Sequence, residues 1–388
     1  MKIDAMVLRE DFYNILVKTL ENYYRDVFGK AIIINVTSRT YGSKILIYPK
    51  INAITTRFPN KKVIDYSYDE FNVRGPFWKF IAAKIYVSLC MFTGGLLASK
   101  ALTYSDYSVF NSTILISPAN RKIRVYDFAK GIVDAIVKNT FTSKYFENEL
   151  SFRLNSKYDF VLPIIEHGET WYREEILPGQ PLARIKDQKL YDKCIHDAVS
   201  HVKALAEDTI EYVNAADYAQ KLYSEISEKL IIAREQKNIT HQGIIEEIAC
   251  IALRKAAQLN APLPIVESHG DLQSGNVWVD RVAAKVYIID WETHGKRSIW
   301  YDCATILLST RRANQLKMMV MHCETDIVKN AVLINDNNKN YDMQAVMGII
   351  ILEDIMFYLD DMLELPLNFG AEIFERITME MDRIGWRQ

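Results

Sequence analysis

The stretch from Glu267 to Thr305, ESHGDLQSGNVWVDRVAAKVYIIDWETHGKRSIWYDCAT, constrains this chain more than any other. Polar groups interrupt it where packing alone does not ask for them: His269-Gly270-Asp271, then Asn276 five residues after the aspartate, then the apolar run Val286–Ile289 closing on Asp290. Asn276–Val279 and Lys285–Ile289 are rich in β-branched and aromatic residues and are separated by a polar turn at Asp280-Arg281, a pattern that predicts a hairpin. Such a hairpin sets Asn276 at the start of one strand and Asp290 at the end of the other, on one edge.

Those residue types match what phosphoryl transfer demands. The reaction needs a carboxylate to orient the attacking hydroxyl and hard oxygen ligands to hold Mg²⁺ on the nucleotide, because catalysis there is mostly positioning and charge neutralisation. Asp271 suits the first task. Asn276 and Asp290 suit the second, since magnesium takes oxygen donors and shares them with substrate phosphates.

His269-Gly-Asp271-Leu-Gln-Ser-Gly-Asn276, followed by Ile289-Asp290-Trp291-Glu292, resembles the catalytic region of the aminoglycoside phosphotransferase and choline kinase-like families. Their pattern is HGDxxxxN, a strand, and an Asp-Trp or Asp-Phe pair. The resemblance implies a protein-kinase-like bilobal fold of the α+β class, with a small antiparallel-sheet N-lobe, a mostly helical C-lobe, and ATP or GTP with Mg²⁺ as cofactors. It further implies that Asp302, in Tyr301-Asp302, braces the catalytic loop, and that His269 packs and hydrogen-bonds within that loop rather than acting as the base. A lysine at the end of the third strand, for which Lys138 fits, grips the α- and β-phosphates, and a glutamate on the next helix holds it. Glu149 fits that second role and Glu147 competes with it. Where protein kinases carry a glycine-rich loop, Ser117-Pro-Ala-Asn-Arg-Lys122 has no glycine, leaving backbone N–H groups or the Ser117 hydroxyl as phosphate contacts. The segment Thr170–Gly179 resembles the family's hinge, with adenine pairing to the backbone around Glu174, Glu175 and Ile176.

Composition sets the outer limits. At 388 residues, 25% of them charged and with a formal net charge of −2, the chain has no global basic field that would point to nucleic acid. Five scattered cysteines without CxxC spacing argue against a zinc site or a secreted disulfide framework. The charged N-terminal segment has no cleavable signal pattern, so a cytoplasmic location is expected. Ile85–Ser99 is uncharged but short of the roughly 20 residues a spanning helix requires. A buried helix is the favoured reading, and membrane-surface association the less favoured one.

The chain divides by pattern into an N-terminal α+β extension of unknown role (1–104), an N-lobe (105–180) and a helical C-lobe with the catalytic loop (181–388). In the extension a helix is expected over 7–28 with its stop at Gly29, strands at 31–36, 44–48, 51–57 and 62–66, and a helix from Pro76 to Ala101. Residues 186–259 show helical apolar stripes; His196, His201 and His241 there read as helix-face histidines rather than metal ligands. On the helix at 343–363, Glu353, Asp354, Asp360 and Asp361, followed by Glu364, read as a solvated acidic face, or as a wall for a cationic acceptor. Only eleven residues separate Asp290 from Asp302, too few for the long activation segment of a protein kinase. The expected partners are therefore a nucleotide and a small-molecule or glycan acceptor of aminosugar, sugar or amino-alcohol type, with oligomeric state open. The alternative is a kinase-like binding scaffold acting through the extension.

Overall fold

The structure, a computed structural model, describes residues 2–71, 77–236, 242–307, 341–364 and 371–387. Pro76, His241 and Cys323 lie outside the described residues, as does the side chain of Glu364. The chain forms two compact units, Met1–Phe146 with Pro163–Leu177, and Glu147–Leu162 with Pro178–Gln388.

The first unit is built on a nine-stranded sheet of β1 (Ile34–Thr37), β2 (Ile45–Tyr48), β3 (Ala53–Thr56), β4 (Lys100–Tyr104), β5 (Ile114–Pro118), β6 (Lys122–Asp127), β7 (Ile132–Val137), β8 (Glu166–His167) and β9 (Trp171–Glu175). The order is β1-β4-β2-β3-β5-β6-β7-β9-β8, and every pairing is antiparallel. The boundary expected at residue 104 is not a structural one. β3 pairs with β5 through Ile54↔Ile116 and Thr55↔Leu115, so the extension and the expected N-lobe share one sheet. The physical reason is that an isolated lobe would leave the β5 edge unpaired, and the extension supplies its partner.

Alternation along the strands sorts the side chains onto two faces. On one face Ile114, Ile116, Ile123, Val125 and Ile136 pack with Phe12, Leu16, Leu20 and Tyr23 of α2 (Phe12–Phe28) and with Ile3 and Met6 of α1 (Ile3–Arg9). On the other face Leu46, Tyr48, Leu115 and Phe128 pack with α3 (Lys61–Glu70) and α4 (Phe77–Phe92), Tyr66 lying 4.8 Å from the Tyr126 ring. The expected helix over 7–28 is thus two helices, and Gly29 ends α2 in the left-handed region at φ 63°.

Three further expectations are corrected in this unit, the first being the helix expected to reach Ala101, which ends at Phe92 and is followed by β4. Residues 62–66 lie in α3, not in a strand, because the Asn60 side chain accepts the Val63 N–H at 3.0 Å and caps a helix there. α4 is not a buried helix: Ala83, Val87, Cys90 and Met91 face the core, while Trp78, Ile81, Ile85, Leu89 and Phe92 are exposed. The uncharged run that begins at Ile85 conceals a one-sided burial. No helix among the described residues is long and apolar enough to cross a membrane.

The second unit holds α6 (Gln188–Thr209), α7 (Ala215–Gln236), α8 (Gln242–Ala256), α9 (Tyr301–Leu307), α10 (Met343–Glu364) and α11 (Ala371–Arg383). Two three-stranded sheets accompany them: β10 (Gln180–Pro181), β13 (Val277–Asp280) and β14 (Lys285–Ile288), ordered β10-β13-β14, and β11 (Glu211–Val213), β12 (Leu263–Ser268) and β15 (Gly295–Ser298), ordered β11-β12-β15. Ile226, Leu230, Ile248, Ala252, Val346, Ile350 and Leu359 form the core of α7, α8 and α10. α10 approaches α8 so closely that a Cβ on Gly348 would meet the Ala252 carbonyl oxygen.

Glu353 and Asp354 of α10 belong neither to a solvated face nor to a substrate wall. Both are buried. Glu353 accepts the Ser298 N–H at 2.6 Å, the Ser298 hydroxyl at 2.7 Å and the Tyr218 hydroxyl at 2.7 Å, and Asp354 accepts the Tyr301 hydroxyl at 2.9 Å. Asp360 pairs with Lys229. Helical phase identifies which residues share a face but not whether that face meets solvent or another element.

Candidate active site

The β13–β14 hairpin sets the geometry of the site. The strands pair from Val277↔Ile288 to Asp280↔Lys285, and Asp280 closes the turn by accepting the Val282 and Ala283 N–H groups. The ladder continues one step further, the Ile289 N–H donating to the Asn276 carbonyl at 2.9 Å. Asn276 and Asp290 therefore stand at one end of one hairpin. Asp290 adopts φ 68°, a left-handed conformation costly for a residue with a Cβ, and turns the chain into a short 3₁₀ turn at Trp291–Thr293. Trp291 anchors that turn from below, its indole N–H donating to the Ile288 carbonyl at 2.8 Å.

The loop before the hairpin is held from beneath by Asp302. This buried carboxylate, in the first turn of α9, accepts the His269 N–H at 2.6 Å and the Gly270 N–H at 3.0 Å. Gly270 has φ 82°, and a Cβ there would run into the Thr293 carbonyl oxygen, so only glycine fits. The His269 ring is fully buried. Its Nδ1 accepts the Asp271 N–H at 3.2 Å and its Nε2 lies 2.9 Å from the Ile289 carbonyl, which fixes the Nε2–H tautomer. Both nitrogens are engaged inside the loop, tying it to the hairpin end. Asn276 Nδ2 donates to the Asp271 carbonyl at 2.8 Å and lies 3.2 Å from Asp271 Oδ2, while Gln273 Nε2 donates to Oδ1 at 2.6 Å. Asp271, Asn276 and Asp290, with His269 and Asp302 behind them, are brought together.

Several supports carry no sequence signal. Asn148, on α5 (Lys144–Asn155), donates to the carbonyls of Glu292 at 3.1 Å and His294 at 2.6 Å. One turn on, the Phe152 ring lies 4.3 Å from Trp291 and 4.1 Å from His294. Gln273 is the exception, since it stands inside the motif itself.

The remaining sequence-expected residues have other surroundings. Glu149 is fully buried and pairs with Arg153 at 3.2 Å, whereas its competitor Glu147 is exposed. Lys138 is in the first unit, with no exposed surface, and its Nζ lies 2.6 Å from Glu10 and 3.3 Å from the Met6 sulfur. Burial pushes its ammonium below the ordinary lysine range, against the opposing pull of Glu10. Glu10 was not legible as a partner because it stands 128 residues away in sequence. The Ser117 hydroxyl accepts from Asn52 Nδ2 at 3.0 Å and lines a cavity of about 230 Å³ with Leu115, Tyr66 and Glu70. At the expected hinge, Glu174 pairs with Val133 inside the sheet and Glu175 is exposed. The Ile176 N–H donates to the Gly131 carbonyl at 2.9 Å, so it is already engaged. Beyond it, Gly179 at φ 108° lets Pro178-Gly179 close on β13, where Trp278 donates to the Pro178 carbonyl at 2.9 Å.

No protein-family model matches the chain, and no curated protein matches it. Among solved structures, similar chains are ethanolamine and choline kinases and aminoglycoside phosphotransferases, the families that the HGDxxxxN motif resembles. A Plasmodium vivax ethanolamine kinase is 15% identical, with 84% of this chain and 92% of that chain covered and a TM-score of 0.43. A choline kinase from Cryptosporidium parvum is 16% identical, covering 84% and 95%, with a TM-score of 0.44. A thermostable mutant of an aminoglycoside phosphotransferase is 10% identical, covering 70% and 92%, with a TM-score of 0.46. At these values the likeness carries no weight for the chemistry, which rests on the loop itself.

Proposed function

We propose that this protein is a nucleotide- and magnesium-dependent phosphotransferase that moves the γ-phosphoryl group of ATP or GTP to a hydroxyl of a small molecule or glycan. One observation supports the reading: the loop His269–Asn276 is braced by Asp302 and tied by His269 to the hairpin end, so that Asp271 and Asn276 stand beside the backbone that leads into Asp290. Asp271 accepts or orients the acceptor O–H, its carboxylate held by Gln273 and Asn276. With its Nδ2 turned to Asp271, Asn276 would hold Mg²⁺ through Oδ1 and Asp290 through its carboxylate, both of them the hard oxygen donors that this ion takes. Magnesium, when bound, neutralises charge on the phosphates. His269 has both ring nitrogens engaged and serves as a spacer between loop and hairpin, not as the base.

The acceptor class follows from the interval between Asp290 and Asp302. It is taken up by the 3₁₀ turn at Trp291–Thr293 and by β15, which pairs with β12 from Ser298↔Ile265 to Gly295↔Ser268. A compact interval of this kind suits a small acceptor better than a peptide.

The test is thermal stability with and without MgATP or MgGTP, where ligand at 100 times its Kd adds roughly 2.7 kcal/mol. A magnesium-dependent rise that Asp290→Ala abolishes supports the assignment. A second reading, a kinase-like binding module, is favoured by the sealing of Lys138 against Glu10, which removes that amine from any phosphate. The absence of a rise with either nucleotide would favour that reading over the enzyme.

A further inference from the structure

A lysine that grips nucleotide phosphates must present its amine on the sheet face that carries the other nucleotide contacts. The registers of β5, β6, β7 and β9 show which residues share each face, since residues paired across antiparallel strands lie on the same side. Ser117 pairs with Arg124, and Arg124 with Ala135; Tyr126 pairs with Val133, and Val133 with Glu174. Ser117, an expected phosphate contact, thus shares a face with Arg124, Tyr126 and the Glu174 side chain, the face on which Tyr66 of α3 packs against Tyr126. Lys138 follows Ile136 by two residues on the opposite face, where α1 and α2 pack and where Glu10 and Met6 seal it. Phe12 and Phe141 close the surround, with ring centroids 5.9 and 5.6 Å from its amine.

At the same level of the sheet, on the Ser117 and Glu174 face, stands Lys122. It is two residues from Arg124 in β6 and pairs directly with Val137, the residue before Lys138. The ladder runs on past that pair, the Lys138 N–H donating to the Arg121 carbonyl at 2.9 Å, so no bulge reverses the alternation. Lys122 is only 3% exposed, a degree of burial unusual for a lysine on a strand beside a turn.

We propose that Lys122, not Lys138, is the phosphate-positioning lysine of this protein, and that Lys138 with Glu10 is a structural ion pair fastening the N-terminal helices to the sheet. This rests on the phosphotransferase reading. The strand end keeps a cation at the same height but moves it from β7 to the neighbouring strand β6, and so to the other face.

The experiment labels the intact wild-type chain with an ATP acyl phosphate. In this reagent a lysine amine near the bound phosphates attacks the acyl carbon, the amide forms, the acyl–phosphate C–O bond breaks, and ATP leaves with loss of a proton. Peptide mapping is expected to place the label on Lys122, with excess MgATP protecting it, and to leave Lys138 unlabelled. In parallel, calorimetry on Lys122→Met is expected to show MgATP binding weakened at least tenfold and adenosine binding within twofold of wild type. Lys138→Met is expected to melt at a lower temperature and bind MgATP within twofold of wild type. ATP-protected label on Lys138, or a folded Lys122→Met that binds MgATP as wild type does, overturns the proposal while leaving the nucleotide site standing. Failure of the wild-type chain to bind MgATP or take any protected label removes the phosphotransferase reading, and this assignment with it.

Discussion

The loop from Ser268 to Asp302 and the sheet around Lys138 both carry residues that a kinase motif singles out, and they behave differently. In the loop, His269, Gly270, Asp271 and Asn276 find partners within a span of 33 residues. Around Lys138, the partner comes from the other end of the first unit, and the strand's alternation points the amine into the core. A motif whose members lie on one hairpin and its flanking turn transfers its geometry with its sequence. A single lysine at a strand end does not, because one residue of register decides its face.

The contrast can be broken most decisively at Asp271. Asp271→Asn should lower transfer to any hydroxyl acceptor that wild type turns over by on the order of 10³-fold, with nucleotide affinity nearly unchanged. Steady-state ADP release and calorimetry would check this; an equal loss in affinity would recast Asp271 as a binding residue.

Next comes the loop's rigidity. Gly270→Ala should destabilise by roughly 4 kcal/mol, because the residue sits at φ 82° against the Thr293 carbonyl. Gly275→Ala meets no atom within 4 Å and should change the melting temperature little. Similar melting curves for the two variants would mean that the loop is not the tight structure described.

On the other side of the comparison, Glu10→Ala should cost roughly 3 kcal/mol in denaturant unfolding by leaving Lys138 buried without its carboxylate. It should leave MgATP affinity alone. A large loss of affinity in a folded Glu10→Ala would return Lys138 to the phosphate site.

The smallest effect depends on pH. Desolvation pushes the Glu353 carboxyl up to about 7 from its ordinary 4.5, against the donors Ser298 and Tyr218. The folded chain then holds a proton that the unfolded chain releases, so stability is greatest below about 4.5 and falls as the pH rises through about 7. The loss amounts to at most about 3 kcal/mol. Glu353→Gln retains an acceptor for the Ser298 N–H and Tyr218 and an N–H₂ for the Ser298 hydroxyl, so it should flatten this dependence in urea titrations between pH 5 and 8. An unchanged slope would place the titration elsewhere.

Much of the second unit was legible in the sequence. The hairpin, its shared edge and the helices from Gln188 to Ala256 follow from patterns that act over a few residues, namely alternation, turn chemistry and helical period, whereas Asp302 beneath the loop was legible only through the family resemblance. Asn148 and Phe152 were not legible, because their contacts come from a helix more than 130 residues away in sequence and a helix-surface Asn or Phe has no distinctive spacing. Nor was the burial of Glu353 and Asp354, since whether an acidic face meets water depends on what packs against it.

By itself, then, the sequence determined a locally encoded loop and hairpin, because the backbone geometry of a hairpin and a glycine turn is set by neighbouring residues. Only the tertiary structure decided which edge the N-terminal strands complete, which face of α4 stays exposed, and which lysine stands on the face of Ser117 and Glu174. Those outcomes depend on strand register and on partners far along the chain, where a shift of one residue exchanges core for surface.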